Sequence, residues 1–104
     1  MARPGKQDGT EIVEKPQATS KRPQLFHVVL LNDDNTTMEF VVQVLESVFP
    51  KGPAEAYRIR MEVHTRGRGV CGAYTYEVAE TKAATVHDLA RADGFPLQAG
   101  IEEA

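Results

Sequence analysis

Apolar positions in this chain come in blocks separated by short polar corners, and the spacing inside each block indicates its element. Phe26 to Leu31 is apolar and β-branched enough for a strand, and Asn32-Asp33-Asp34-Asn35 ends it. Val41, Val44, Leu45 and Val48 then recur at i, i+3, i+4 and i+7, the buried stripe of a helix. Thr36, with Glu39 three residues on, reads as the capping box of that helix, each side chain satisfying an otherwise orphan backbone donor. Pro50 and Gly52 stop it, and Pro53 suits the first turn of a second helix running to about Thr65. Ala56, Ile59 and Val63 form the apolar stripe of this second helix, with Tyr57, Met61 and His64 on an adjoining one. Gly67 and Gly69 punctuate a turn, and Val70 to Tyr76 reads as a strand in which Gly72 marks a bulge or a close backbone approach. A third helix covers Val78 to Ala92, with Val86, Leu89 and Ala90 inward and Gly94 past its end. Pro96 to Ile101 is a short last strand.

The predicted order is βααβαβ. It defines an α+β fold, a small sandwich of three helices against a short antiparallel sheet. Residues 1–22 contain only Ile12 and Val13 as sizeable aliphatics, so residues 1–23 are expected to be a disordered, flexible N-terminal extension and residues 24–104 the core domain. A domain of ~80 residues buries only about 60–65% of its unfolded surface, enough for one small core.

Charge sharpens the division. The chain carries -3 overall; residues 1–24 hold five basic and three acidic side chains, +2, which leaves -5 on the rest. An acidic folded part is a poor nucleic-acid binder, because duplex affinity rests on Lys and Arg neutralising phosphates. It suits cationic or amino-bearing ligands better. A single cysteine, Cys71, rules out an internal disulfide and fits a reducing compartment. No apolar run approaches the ~20 residues that span a bilayer, and the N-terminus lacks an apolar signal core. A monomer in a bacterial cytoplasm, without membrane or nucleic-acid partners, is the expectation.

The chemistry concentrates at the strand-to-helix corner. Asn32, Asp33 and Asp34 are ordinary turn and capping residues, since Asn and Asp bond their own backbone and favour the positive end of a helix. They are also a set of acceptor oxygens able to converge on one small cationic group. The regular offsets of a calcium loop are absent, and so are the glycine loop and lysine of a phosphotransfer site. His64 is either a solvated helix-flank residue or a second half of the same site. His27 lies within a strand and His87 on an exposed-looking helix position; neither is spaced for zinc with Cys71, which reads as a core thiol. Met38 and Val41, one helical turn apart beside the acceptors, are core residues or the apolar wall of a pocket. No cofactor is called for and no nucleophile has an identifiable base. A small metal- or Asp/His-dependent hydrolase using Asp33, Asp34 and His64 stays open beside a binding module. So does a pure scaffold, since the same element order resembles the C-terminal domain of a ribosomal stalk protein and fold analogy says nothing of function.

Taken together, three segments carry a family resemblance. They are Val28-Val-Leu-Leu-Asn-Asp-Asp-Asn-Thr-Thr-Met-Glu-Phe-Val-Val42, then Val63-His64 followed by a glycine turn and Val70-Cys71-Gly72, and then Glu77-Val-Ala-Glu-Thr-Lys82. With Pro96-Leu97 before an acidic end, residues 24–104 resemble the ClpS adaptors, which deliver N-degron substrates to the ClpA unfoldase of the ClpAP protease. The resemblance implies a non-enzymatic adaptor whose ligand is the first residue of a polypeptide, with a free α-ammonium and a bulky side chain of Phe, Tyr, Trp or Leu. It implies that Asn32, Asp34 and His64 hold the ammonium and that Asp33 lies near the first peptide unit. Thr36, Met38, Val41, Val63 and Leu97 match the apolar pocket, with Met38 as the gatekeeper against β-branched first residues. Glu77 and Lys82 match the surface that docks on the ClpA N-terminal domain, toward which residues 1–24 would reach. Arg60 stands where familiar members place a pocket-lining methionine, a departure of the kind expected in a second paralogue with shifted side-chain preference.

Overall fold

The computed structural model describes residues 22–104. The expected N-terminal extension falls, up to residue 21, outside the described residues. Within them the order is β1 (Phe26–Leu31), α1 (Met38–Ser47), α2 (Pro53–Arg66), β2 (Arg68–Tyr74), α3 (Tyr76–Asp93) and β3 (Gln98–Glu103). This is the βααβαβ sequence that the hydrophobic spacing predicts. The three strands form one antiparallel sheet in the order β2-β1-β3.

β1 is central, which is why its middle residues are apolar in succession rather than alternating. Val28 and Leu30 enter the main core, and Val29, between them, is covered as well. The predicted stripe of α1 is buried in full, as is that of α2, Ala56, Ile59 and Val63. Of the third stripe, Val86 and Ala90 are buried and Leu89 is partly so. α2 packs on α1 and on β2, while α3 lies across β3, β1 and β2. Phe40 of α1 meets Phe95 after α3 at 4.8 Å between ring centroids, joining the two ends of the helical layer.

Four boundaries differ from the sequence expectation, each for a local reason. The N-cap of α1 is Thr37, not Thr36: its Oγ1 accepts the Phe40 N–H at 3.2 Å, and Glu39 falls in the first turn. β2 runs over Arg68–Tyr74 rather than Val70–Tyr76, because Thr75 takes the extended cap geometry (φ -60°, ψ 159°) that starts α3 at Tyr76. α3 therefore begins two residues before Val78. β3 runs over Gln98–Glu103 rather than Pro96–Ile101; Pro96 lacks the N–H that a ladder needs, and pairing with β1 carries on to Glu103.

The irregularity expected at Gly72 is present. Val28 faces Gly72 but Val29 faces Val70, so Cys71 is the extra residue of a bulge. A Cβ at Gly72 would lie 2.6 Å from the Tyr74 hydroxyl, so a side chain there would displace that ring. Cys71 itself is buried (1% exposed), and burial pushes its thiol up to about 12.

Candidate functional site

The acceptor corner owes its shape to how two helices meet it. α2 ends at Gly67, whose φ of 83° is the left-handed cap that glycine adopts without strain. The Gly67 carbonyl then accepts the Asn32 N–H at 2.9 Å, fixing the end of β1 against the end of α2. On the other side Thr36 N–H donates to the Asp33 carbonyl (3.1 Å) and Asn35 N–H to Asp33 Oδ1 (2.7 Å), an Asx-turn leading into α1. The corner is thus clamped between the C-terminus of one helix and the N-terminus of another.

Asn32, Asp33, Asp34, Thr36, Met38 and His64 line one cavity of about 390 Å³ there. His64 comes from the last turn of α2, thirty residues downstream of Asp34, so residues far apart in the chain share one wall. Asn32, Asp34 and His64 are exposed, and their side chains have no hydrogen-bond partner among the described residues. Asp33 is partly buried and spends one oxygen on its own turn. Thr36 is buried (5% exposed) and its Oγ1 makes no hydrogen bond. Chemically the cavity presents acceptors: an amide oxygen, carboxylates, an imidazole nitrogen when neutral, and one orphan hydroxyl. The carbonyl end of the α2 dipole adds negative potential.

The other sequence-predicted residues divide. Met38 is partly buried and is also a wall of a second cavity of about 390 Å³, which it shares with Glu39, Val42 and Arg60. Val41 and Val63 are sealed in the core behind these cavities, both 0% exposed. Leu97 is buried and borders a different cavity, with His87, Phe95 and Pro96 among its walls. Glu77 is exposed in the first turn of α3. Lys82 is more committed than a surface cation: its Nζ donates to the Val48 carbonyl at 2.8 Å and lies 5.2 Å and 5.8 Å from the Tyr74 and Phe49 ring centroids.

Two roles escaped sequence reasoning. His87 is partly buried, not a solvated helix residue: its Nε2 accepts the Ala99 N–H at 3.0 Å and ties α3 to β3. Lys82 holds the end of α1 across thirty-four positions, a separation that no local pattern reports. Glu39 and Val42 were legible only as neighbours of Met38 at offsets of one and four on α1. Among the described residues no three His, Cys, Asp or Glu side chains gather as metal ligands. No helix there is long and apolar enough to cross a membrane.

Comparison with known proteins bears on this corner. A family model described as ATP-dependent Clp protease adaptor protein ClpS matches residues 21–100. The ATP-dependent Clp protease adapter protein ClpS of Desulfatibacillum aliphaticivorans is 54% identical over 96 residues, 92% of each chain. That of Maricaulis maris is 52% identical over 99 residues, 95% of this chain and 91% of the relative. The solved structure of Agrobacterium tumefaciens ClpS2 bound to L-phenylalaninamide matches with a TM-score of 0.76 at 41% identity, covering 80% of this chain and 100% of that one. Family model, full-length identity and shared fold agree: the chain belongs to the ClpS family, the adaptor proteins of the ATP-dependent Clp protease.

Proposed function

We propose that this adaptor binds the free α-amino group and bulky hydrophobic side chain of N-degron polypeptides, those beginning with Phe, Tyr, Trp or Leu. It then delivers them to the N-terminal domain of the ClpA unfoldase for degradation by ClpAP. The observation that carries the reading is the single cavity in which Asn32, Asp34 and His64 present acceptors with no partner among the described residues. An ammonium is a compact cation with three donors, and an amide oxygen, a carboxylate and a neutral imidazole supply three acceptors for it. The ligand of the Agrobacterium relative, L-phenylalaninamide, has this chemistry: an α-amine, a benzyl side chain, and an amide where the next peptide bond would stand. Asp33, whose second oxygen is outside its turn, faces the first peptide unit. Met38 and Thr36 form the mouth of the side-chain pocket, with Arg60 at its margin and Val41, Val63 and Leu97 as the packed layer supporting it. Glu77 and Lys82 lie on the docking face for ClpA.

Fluorescence anisotropy with labelled peptides differing only in the first residue tests this. Free Phe, Tyr, Trp and Leu peptides bind, and N-acetylation abolishes binding because it removes the charge and leaves the acceptors unmatched. His64→Ala weakens binding about tenfold or more, the loss of one charged hydrogen bond. Binding that survives acetylation refutes the proposal.

A further inference from the structure

Met38 lines two neighbouring grooves of about 390 Å³ each. The acceptor corner is one. The other is bounded by Met38, Glu39, Val42 and Arg60. Methionine is unbranched and flexible, so the Met38 side chain is the wall the two grooves share that yields most readily. A side chain passing it meets an apolar wall, Val42, together with a cation and a carboxylate.

That cation differs from the molecule's ion-paired arginines. Arg58, Arg68 and Arg91 lie on open surface, and each holds a carboxylate at 2.6–2.7 Å. Arg60 is partly buried, yet among the described residues it makes no ion pair and no side-chain hydrogen bond. Its guanidinium carbon stands only over the exposed Tyr57 ring, 5.5 Å from the centroid. Glu39, on the same cavity, has no ion-pair partner there either. The second groove therefore offers donors from one side chain and an acceptor from another, unspent on each other.

We propose that Arg60, together with Glu39, determines specificity for a first residue whose ring ends in a hydroxyl, Tyr above Phe and Leu; this rests on the amine-binding reading above. A phenol oxygen accepts from the guanidinium while its O–H donates to the carboxylate, so one group satisfies both. A benzyl or isobutyl side chain takes water from both and returns no hydrogen bond. A site built to bond a hydroxyl discriminates against the analogue lacking it more sharply than an apolar pocket resolves size.

The test uses the full chain and labelled peptides identical except for a first residue of Tyr, Phe or Leu, with an N-acetylated Tyr control. The unaltered chain is expected to bind the Tyr peptide about tenfold more tightly than the Phe peptide, the worth of one hydrogen bond to a charged group. Arg60→Met brings the ratio to about one, weakening Tyr and strengthening Phe, and Glu39→Gln lowers it part of the way. Because the ratio is taken within one protein, partial unfolding of a variant cancels. Equal Tyr and Phe affinity in the unaltered chain, or a Tyr preference that survives both substitutions, overturns the inference and leaves amine recognition standing. Equal binding of acetylated and free Tyr peptides removes the amine reading, and the inference with it.

Discussion

Thr36 is the residue at which stability and function oppose each other most directly. Its neighbour Thr37 takes the N-cap of α1, and Thr36 is left 5% exposed with an Oγ1 that bonds to nothing. A buried hydroxyl without a partner costs about 1–3 kcal/mol, yet a valine of the same shape would avoid that cost. Thr36 borders the acceptor cavity, but its Oγ1 is itself sealed, so a ligand bonds it only if the corner shifts on binding. Thr36→Val is therefore expected to stabilise the ligand-free protein by about 1 kcal/mol, raising Tm by about 4–8 °C for a domain of this size. The same substitution should weaken binding of free-amine peptides severalfold. Thermal melts and anisotropy on one preparation check both halves. A variant that melts no higher than the parent shows that solvent already satisfies the hydroxyl.

At the scale of elements, Lys82 connects α3, including the face proposed above for docking, to the helix that carries Met38. α1 has no basic residue in its last turn, and Lys82 supplies the missing positive charge by donating to the Val48 carbonyl at 2.8 Å. Its ammonium also lies near the faces of Tyr74 and Phe49. Lys82→Met keeps the aliphatic stem and loses the cap, so stability should fall by about 1–2 kcal/mol, read as a lower urea midpoint with an unchanged slope. Glu77→Ala, at an exposed first-turn position, should leave the midpoint within about 0.5 kcal/mol of the parent. Glu77 is thus the cleaner probe of docking, and an unchanged midpoint for Lys82→Met would mean that the cap bond is not maintained in solution. The same elements mark what the sequence makes legible. The stripes of α1 and α2 are periodic, and their predicted residues are all buried; Phe40, buried beside the α1 stripe, lies outside the spacing read from the sequence. Of the two consecutive threonines before α1, only Thr36 has the Glu three positions on that the capping box asks for, yet Thr37 takes the cap, after the turn that Asp33 makes. Tyr74 and Tyr76 look alike to a strand propensity, so the start of α3 is hidden until Thr75 is seen as a cap. Lys82 and His87 act across the chain, and no window of neighbouring residues contains their partners.

For the molecule as a whole, one small core shared by a sheet and three helices makes folding sensitive to groups buried at its centre. Cys71, the bulged residue of β2, is one of them, in contact with the cluster that includes Val28, Ile59 and Val63. Desolvation by that core is the main reason its thiol is pushed up to about 12; the nearby Glu62 charge acts in the same direction, and Lys51 opposes it. Burial also raises the Tyr74 phenol, with the same sign. An unfolded cysteine loses its proton near pH 9, whereas the folded one retains it, so above that pH the unfolded state binds fewer protons. Stability contributed by the neutral thiol is therefore fully present below about pH 9 and declines as pH rises toward 12, by about 1.4 kcal/mol per pH unit. The thiol's contribution to urea midpoints should stay nearly level from pH 7 to pH 9 and then fall along this slope to pH 10.5 in the unaltered chain. In Cys71→Ala they should fall less steeply, from a lower starting point set by the small cavity. The difference between the two profiles isolates the thiol from the lysines and tyrosines that titrate in the same range. Parallel profiles would mean that the thiolate is tolerated in the fold, and Cys71 would then also react with alkylating reagents at pH 9 instead of remaining inert.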